Sequence, residues 1–308
     1  MVKLPAQIGL RRGNVIKILF LMPYFGRWPE WFFIFLETCR YNQTADWLFL
    51  TDCGAINEVP SNVRFVHMPF DEVSSLASHK LGFPVRLHTP YKLCDLKLAY
   101  GKIFEEFTDG YDYWGFGDVD VVYGNLREAL TGEMLSHDII SFHRDHISGH
   151  LCLLKNIEMN RTLYSRIADF RASLSCDTYA MNDELLFPNG TPYSGMQKQI
   201  DEVSLKHLSI YRYESFNTPL SSSKPWIDRT FRFPSEWTWK NGQLTNDIDS
   251  DRAFPYLHFI HLKRLYWGDL KKVVYLDPME LHRGFTISCY GFHPIGRRTN
   301  EPEFLGLD

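Results

Sequence analysis

An aromatic and β-branched run over residues 111–122 closes in Gly115-Phe116-Gly117-Asp118-Val119-Asp120-Val121-Val122. Runs of this composition form buried strands. Residues two apart on a strand point the same way, so Asp118 and Asp120 are expected on one face, roughly 7 Å apart at the backbone. Two carboxylates that close repel, and they are costly to desolvate unless a cation or a donor network lies between them. A divalent ion such as Mn²⁺ or Mg²⁺, held by hard oxygen ligands and shared with substrate phosphates, meets that requirement.

The run sits within an alternation of strand and helix signals. Residues 15–22 read as a first strand stopped by Pro23, 47–51 as a second ending at Asp52, and 63–68 as a third. Pro29 opens a helix to about residue 41, where a missing N–H in the first turn costs little. Residues 71–81 read as a helix ended by Gly82 and Pro84, and 91–107 as a long amphipathic helix leading into the Asp-x-Asp strand. Beyond it, 126–135 suggest a short helix, 138–142 and 149–154 strands, 157–174 a helix, and 254–262 a last apolar strand carrying His258 and His261. Residues 197–251 are irregular apart from an aromatic hairpin over 231–243. Such alternation predicts an α/β fold, with a mostly parallel sheet flanked by helices and joined by right-handed crossovers. Ligands bind beyond the carboxyl ends of the strands in such sheets, which places Tyr24, Asp52 and the two aspartates along one rim.

A chain of 308 residues suits one large α/β domain, or one domain with a C-terminal extension. A net charge of −4 argues against a nucleic-acid partner. The six cysteines are scattered without a Cys-x-x-Cys pair, and no signal sequence precedes them, which points to reduced, buried thiols in a cytoplasmic protein. The longest apolar stretches, 16–22 and 31–36, are too short to cross a bilayer, which leaves peripheral contact at the inner face of a membrane open. His143, His146 and His150 cluster in sequence, but no second ligand group beside them supports zinc.

Five stretches carry a family resemblance: Pro90-Tyr91-Lys92-Leu93-Cys94-Asp95-Leu96-Lys97, Tyr113 to Asp120, Ser148-Gly149-His150-Leu151, Asn182-Asp183-Glu184 and Tyr256-Leu257-His258-Phe259. Over about residues 15–263 the chain resembles bacterial polysaccharide glycosyltransferases of capsule and O-antigen clusters, apart from the irregular 197–251. The resemblance implies a GT-A-like, Rossmann-like fold with an irregular C-terminal region, in a single catalytic domain over 1–308. Residues 15–125 would form its nucleotide-sugar half, 126–265 its acceptor half and 266–308 an extension. It implies transfer of a hexose, galactose or glucose, from a UDP-sugar to a surface polysaccharide or lipid-linked glycan, with Mn²⁺ or Mg²⁺ as cofactor. Two other functions stay open, a nucleotide-sugar-binding protein without turnover and a nucleotidyltransferase. For the latter, Pro23-Tyr24-Phe25-Gly26-Arg27 makes a poor phosphate loop.

The same resemblance assigns roles to single residues. A late histidine joins Asp118 and Asp120 on the metal, and Tyr-Leu-His-Phe favours His258 over His261. Lys263 then contacts the diphosphate. Asp183 or Glu184 faces the transferred sugar or takes the acceptor proton, a task that needs a positioned carboxylate. Tyr24 stacks on the base, and Asp52 hydrogen-bonds uracil or ribose. Lys92 and Asp95, one turn apart on their helix, reach towards the nucleotide, and His150 stands on the acceptor side.

Overall fold

The computed structural model describes residues 15–144, 146–167, 170–177, 179–180, 208–214, 216, 226–249, 252–267 and 276–296. Thirteen strands run through these residues in chain order. They are β1 (Ile18–Pro23), β2 (Ala45–Thr51), β3 (Val63–His67), β4 (Tyr113–Gly117), β5 (Val121–Tyr123), β6 (Ile139–Ser141) and β7 (Leu151–Lys155). They continue as β8 (Ile210–Arg212), β9 (Glu236–Lys240), β10 (Gln243–Asn246), β11 (Tyr256–His258), β12 (Phe285–Ser288) and β13 (Gly291–Pro294).

The central sheet has seven strands in the order β3-β2-β1-β4-β7-β6-β8. Every pair is parallel except the two made by β7. This is the mostly parallel, helix-flanked α/β sheet expected from the sequence. Strands buried on both faces read as unbroken apolar runs. In β1, Ile18, Phe20 and Met22 enter one core layer while Leu19 and Leu21 enter the other. Helix Phe32–Arg40 covers the first face through Phe32 and Phe35, and helix Phe70–Leu81 covers the second through Val73 and Ala77. Gly82, at φ +75°, caps the latter as a left-handed C-terminal residue.

Four expected elements differ. The single strand over 111–122 is two, because β5 leaves the large sheet and pairs with β11 in a two-stranded one, β5–β11. Asp118 and Asp120 therefore stand in the crossing between sheets, not on a pleated face. The long helix over 91–107 is a 3₁₀-helix, Pro90–Ala99, followed by a turn of α-helix, Tyr100–Ile103, and a second 3₁₀ turn, Glu105–Phe107. The helix over 157–174 is broken into Glu158–Arg161, Leu163–Arg166 and Phe170–Ser175. The last strand stops at His258, and residues Ile260–Leu265 form a helix, so His261 does not share a strand with His258.

The aromatic hairpin is β9–β10, and it joins β12–β13 in a four-stranded sheet, order β10-β9-β12-β13. No helix among the described residues is long and apolar enough to cross a membrane.

Candidate metal and phosphate site

Asp118 follows β4 and Asp120 precedes β5, so the crossing carries both carboxylates past the end of the central sheet. The β5–β11 register sets His258 opposite Val121, next to Asp120. One ligand atom from each of Asp118, Asp120 and His258 lies within 4.8 Å of the others. His258 and Asp120 are buried, with side chains 2% and 7% exposed, and Nε2 of the imidazole lies 3.4 Å from Oδ1 of Asp120. Asp118 is the open member, 26% exposed. Two hard carboxylates and one imidazole converging in this way fit a divalent cation such as Mn²⁺ or Mg²⁺.

Two ammonium groups reach the same carboxylates. Lys97 Nζ donates to Asp118 Oδ1 at 2.7 Å and to the carbonyl of Gly149 at 2.9 Å. Lys263 Nζ donates to Asp120 Oδ2 at 2.5 Å and lies 5.3 Å from the centroid of the Trp31 ring. Burial alone would raise the Asp120 carboxyl, but His258 and Lys263 outweigh it and hold the group well below the usual carboxylate range. The loop is braced from both sides. Trp31 Nε1 donates to the Val119 carbonyl at 3.0 Å, and the Asp118 N–H donates to the His150 carbonyl at 3.1 Å.

Asp118, Asp120, Lys97, Lys263 and Trp31 line a pocket of about 720 Å³, and the buried His258 is not among its lining residues. Tyr24 and Phe25 form one wall, the 3₁₀-helix contributes Tyr91, Cys94 and Lys97, and the α-helical turn after it contributes Tyr100. The helix Ile260–Leu265 adds Ile260, Lys263 and Arg264. Side chains three apart eclipse on a 3₁₀-helix, which is why 91, 94 and 97 share one row. The row of Lys92 and Asp95 turns inward instead.

The remaining residues singled out from sequence fall as follows. Lys92 and Asp95 pair with each other at 2.9 Å, 1% and 0% exposed, and neither lines the pocket. Lys92 also donates to the Ser173 carbonyl, and Asp95 accepts from the Ala180 N–H. On an α-helix that pair would sit beside Tyr91, whereas the tighter winding sends it into the core. Tyr24 is in the pocket, stacked on Trp28 with ring centroids 5.4 Å apart. Burial, then Cys53 and Asp120, pushes its phenol up to about 12.

Asp52 is exposed and accepts from the Gly26 N–H at 2.8 Å, fixing the loop after β1. His150 is buried behind His258, the rings stacked 4.4 Å apart at 17°, and held by Ser148 Oγ and the Tyr256 hydroxyl. Burial first, and then His258, keeps it well below the ordinary imidazole range. Asp183 and Glu184 lie outside the described residues. Sequence reasoning missed Lys97 as a site residue. Its signal was a lone cation inside the apolar run Leu96-Lys97-Leu98-Ala99. It also missed Trp31 and the Tyr91–Tyr179 contact, 4.7 Å between centroids, at the pocket wall.

A family model described as "Family of unknown function (DUF6625)" matches residues 20–282. No curated protein sequence matches the chain. Among solved structures, the galactosyltransferase LgtC in complex with donor and acceptor sugar analogs is similar at 10% identity, over 79% of this chain and 87% of that one, with a TM-score of 0.39. Mouse xyloside xylosyltransferase 1, in its apo form, is 9% identical over 79% of this chain and 96% of that one, with a TM-score of 0.36. The glycosyltransferase GlyE of Streptococcus pneumoniae TIGR4 is 11% identical over 64% of this chain and 45% of that one, at a TM-score of 0.30.

Proposed function

We propose that this chain, which belongs to the DUF6625 family of unknown function, is a metal-dependent glycosyltransferase with a GT-A-like fold. Its donor is a nucleoside-diphosphate sugar, a UDP-hexose such as UDP-galactose or UDP-glucose, and its acceptor a surface polysaccharide or lipid-linked glycan. The observation that carries this reading is the convergence of Asp118, Asp120 and the buried His258 beside Lys263, at a pocket with an aromatic wall that the two aspartates and the lysine line.

The three residues would hold Mn²⁺ or Mg²⁺, which supplies Lewis-acid neutralisation of the leaving diphosphate. Lys263 adds a positive charge at the same place, where a preformed cation stabilises charge as it develops. Tyr24 offers an aromatic face to the base. His150 orients His258 by stacking on it. Asp183 is the acceptor-side carboxylate, with Glu184 beside it. Tyr179 lines the pocket and the Ala180 N–H is tied to Asp95.

Calorimetry with UDP tests the donor site. Binding is expected with Mn²⁺, and is lost in EDTA or in Asp120→Ala, while circular dichroism of the variant stays native. Equal UDP affinity with and without the ion would sink the metal assignment. Turnover tests the chemistry. Asp183→Asn is expected to slow sugar transfer by roughly 10²–10⁴-fold with UDP affinity intact. Binding of UDP-sugars without transfer or hydrolysis in the unsubstituted protein would instead make it a nucleotide-sugar-binding protein.

A further inference from the structure

Behind the pocket wall the aromatic rings form an ordered stack. Phe32, buried at the start of helix Phe32–Arg40, lies 4.0 Å from Trp28 with the ring planes 9° apart, and Trp28 lies 5.4 Å from Tyr24 at 8°. Phe49 of β2 and Phe65 of β3 meet the Trp28 ring edge-on, each at 5.5 Å. Trp28 is thus held on both faces and at its edges, and it does not line the pocket. Tyr24 ends the stack and is the ring of it that does.

The backbone around these rings is tied as firmly. The Tyr24 N–H donates to the Leu50 carbonyl at 3.0 Å, the Gly26 N–H to Asp52 at 2.8 Å, and Trp28 Nε1 to the Gly54 carbonyl at 2.8 Å. Gly26, at φ +98°, has the left-handed backbone that lets the chain turn between them. The loop after β1 is therefore fastened at three points to the end of β2 and the loop that follows it.

Resting on the donor-site reading above, we propose that Trp28 is a positioning residue. It sets the plane of Tyr24, so that the pocket offers one preformed flat face to the base of a nucleoside diphosphate, while Trp28 itself touches no ligand. A ligand that stacks on an unsupported tyrosine must order its side-chain torsions on binding, and a ring already ordered spares it that loss. The stack carries the rigidity of the buried core out to the pocket wall. Because the diphosphate is held elsewhere, at Asp118, Asp120 and Lys263, the effect belongs to the base alone.

Calorimetry of the full chain with Mn²⁺ and two probes, UDP and pyrophosphate, tests this. Pyrophosphate has the diphosphate chemistry without a base. Trp28→Leu, which keeps an apolar side chain over Phe32, is expected to weaken UDP by roughly 2–13-fold, the cost of ordering one side chain on binding, and to leave pyrophosphate unchanged. Trp28→Phe puts a flat ring back against Tyr24 and is expected to restore most of the UDP affinity, which a loop held only by the Nε1 bond to Gly54 would not do. Tyr24→Ala removes the platform and is expected to weaken UDP by roughly 5–150-fold, again with pyrophosphate unchanged. If Trp28→Leu does not fold, Trp28→Met carries the same test.

Unchanged UDP affinity in Trp28→Leu overturns the proposal. So does an equal loss of UDP and pyrophosphate, which is what a general loosening of the fold would give, and so does a Trp28→Phe protein no better than Trp28→Leu. Full UDP affinity in Tyr24→Ala overturns it as well, since the base would then lie elsewhere. Failure of the unsubstituted protein to bind pyrophosphate with Mn²⁺ overturns the metal-site reading instead.

Discussion

A carboxylate buried as deeply as Asp120 stays charged only because His258 and Lys263 stand against it. Its folded pKa is depressed, so the stability it contributes is present above the unfolded carboxylate value and is lost as pH falls towards the folded one. His261 carries a second pH dependence in a more accessible range. Burial first, then His258 and Arg264, pushes its imidazole down to about 4. Between the ordinary histidine value of roughly 6.5 and that point, the unfolded chain takes up a proton and the folded one does not. Stability is therefore full above the upper limit and falls through this window on acidification. Urea unfolding at pH 7 and pH 5 is expected to show a smaller acid loss in His261→Gln than in the unsubstituted protein. An equal loss would mean that His261 does not contribute.

The 3₁₀-helix Pro90–Ala99 is the element on which the pocket depends, and its Lys92–Asp95 pair is its anchor. Lys92→Met would leave Asp95 charged and buried with the Ala180 N–H but without its cation, and is expected to cost about 3–5 kcal/mol in chemical denaturation. A loss under about 1 kcal/mol, the range of exposed pairs, would show that solvent reaches the pair. This winding also marks the boundary of what the sequence disclosed. The strand–helix alternation made the sheet legible, because β1 is a continuous apolar run, β2 carries Trp47-Leu48-Phe49-Leu50 and Gly82 has an evident capping place. The Asp-x-Asp pair was legible as chemistry but not as geometry. Pairing of β5 with β11 is a contact across the chain that no local pattern records. Lys97 was hidden for a related reason, since a period of 3.6 assigns it to a different face from the period of three that the helix adopts.

At the scale of the whole molecule, the four-stranded sheet braces the site from behind. Phe292 of β13 is fully buried and packs edge-on against Phe259, 5.3 Å between centroids, and against Trp267 at 5.2 Å. Those two rings flank the helix that carries Lys263. Phe292→Ala is expected to lower the unfolding free energy by about 3–5 kcal/mol and to weaken Mn²⁺-dependent UDP binding, although Phe292 does not line the pocket. Calorimetry showing unchanged UDP binding in the folded variant would separate the brace from the site. The reach of these contacts has a consequence in time. Lys263 meets Asp120 across 143 positions of the chain. At ribosomal rates of roughly 5–20 residues per second, the aspartates emerge about 7–30 s before the lysine that neutralises one of them. During synthesis the acidic pair therefore waits with its C-terminal partners still unmade, and the site is among the last parts of the molecule to come into being.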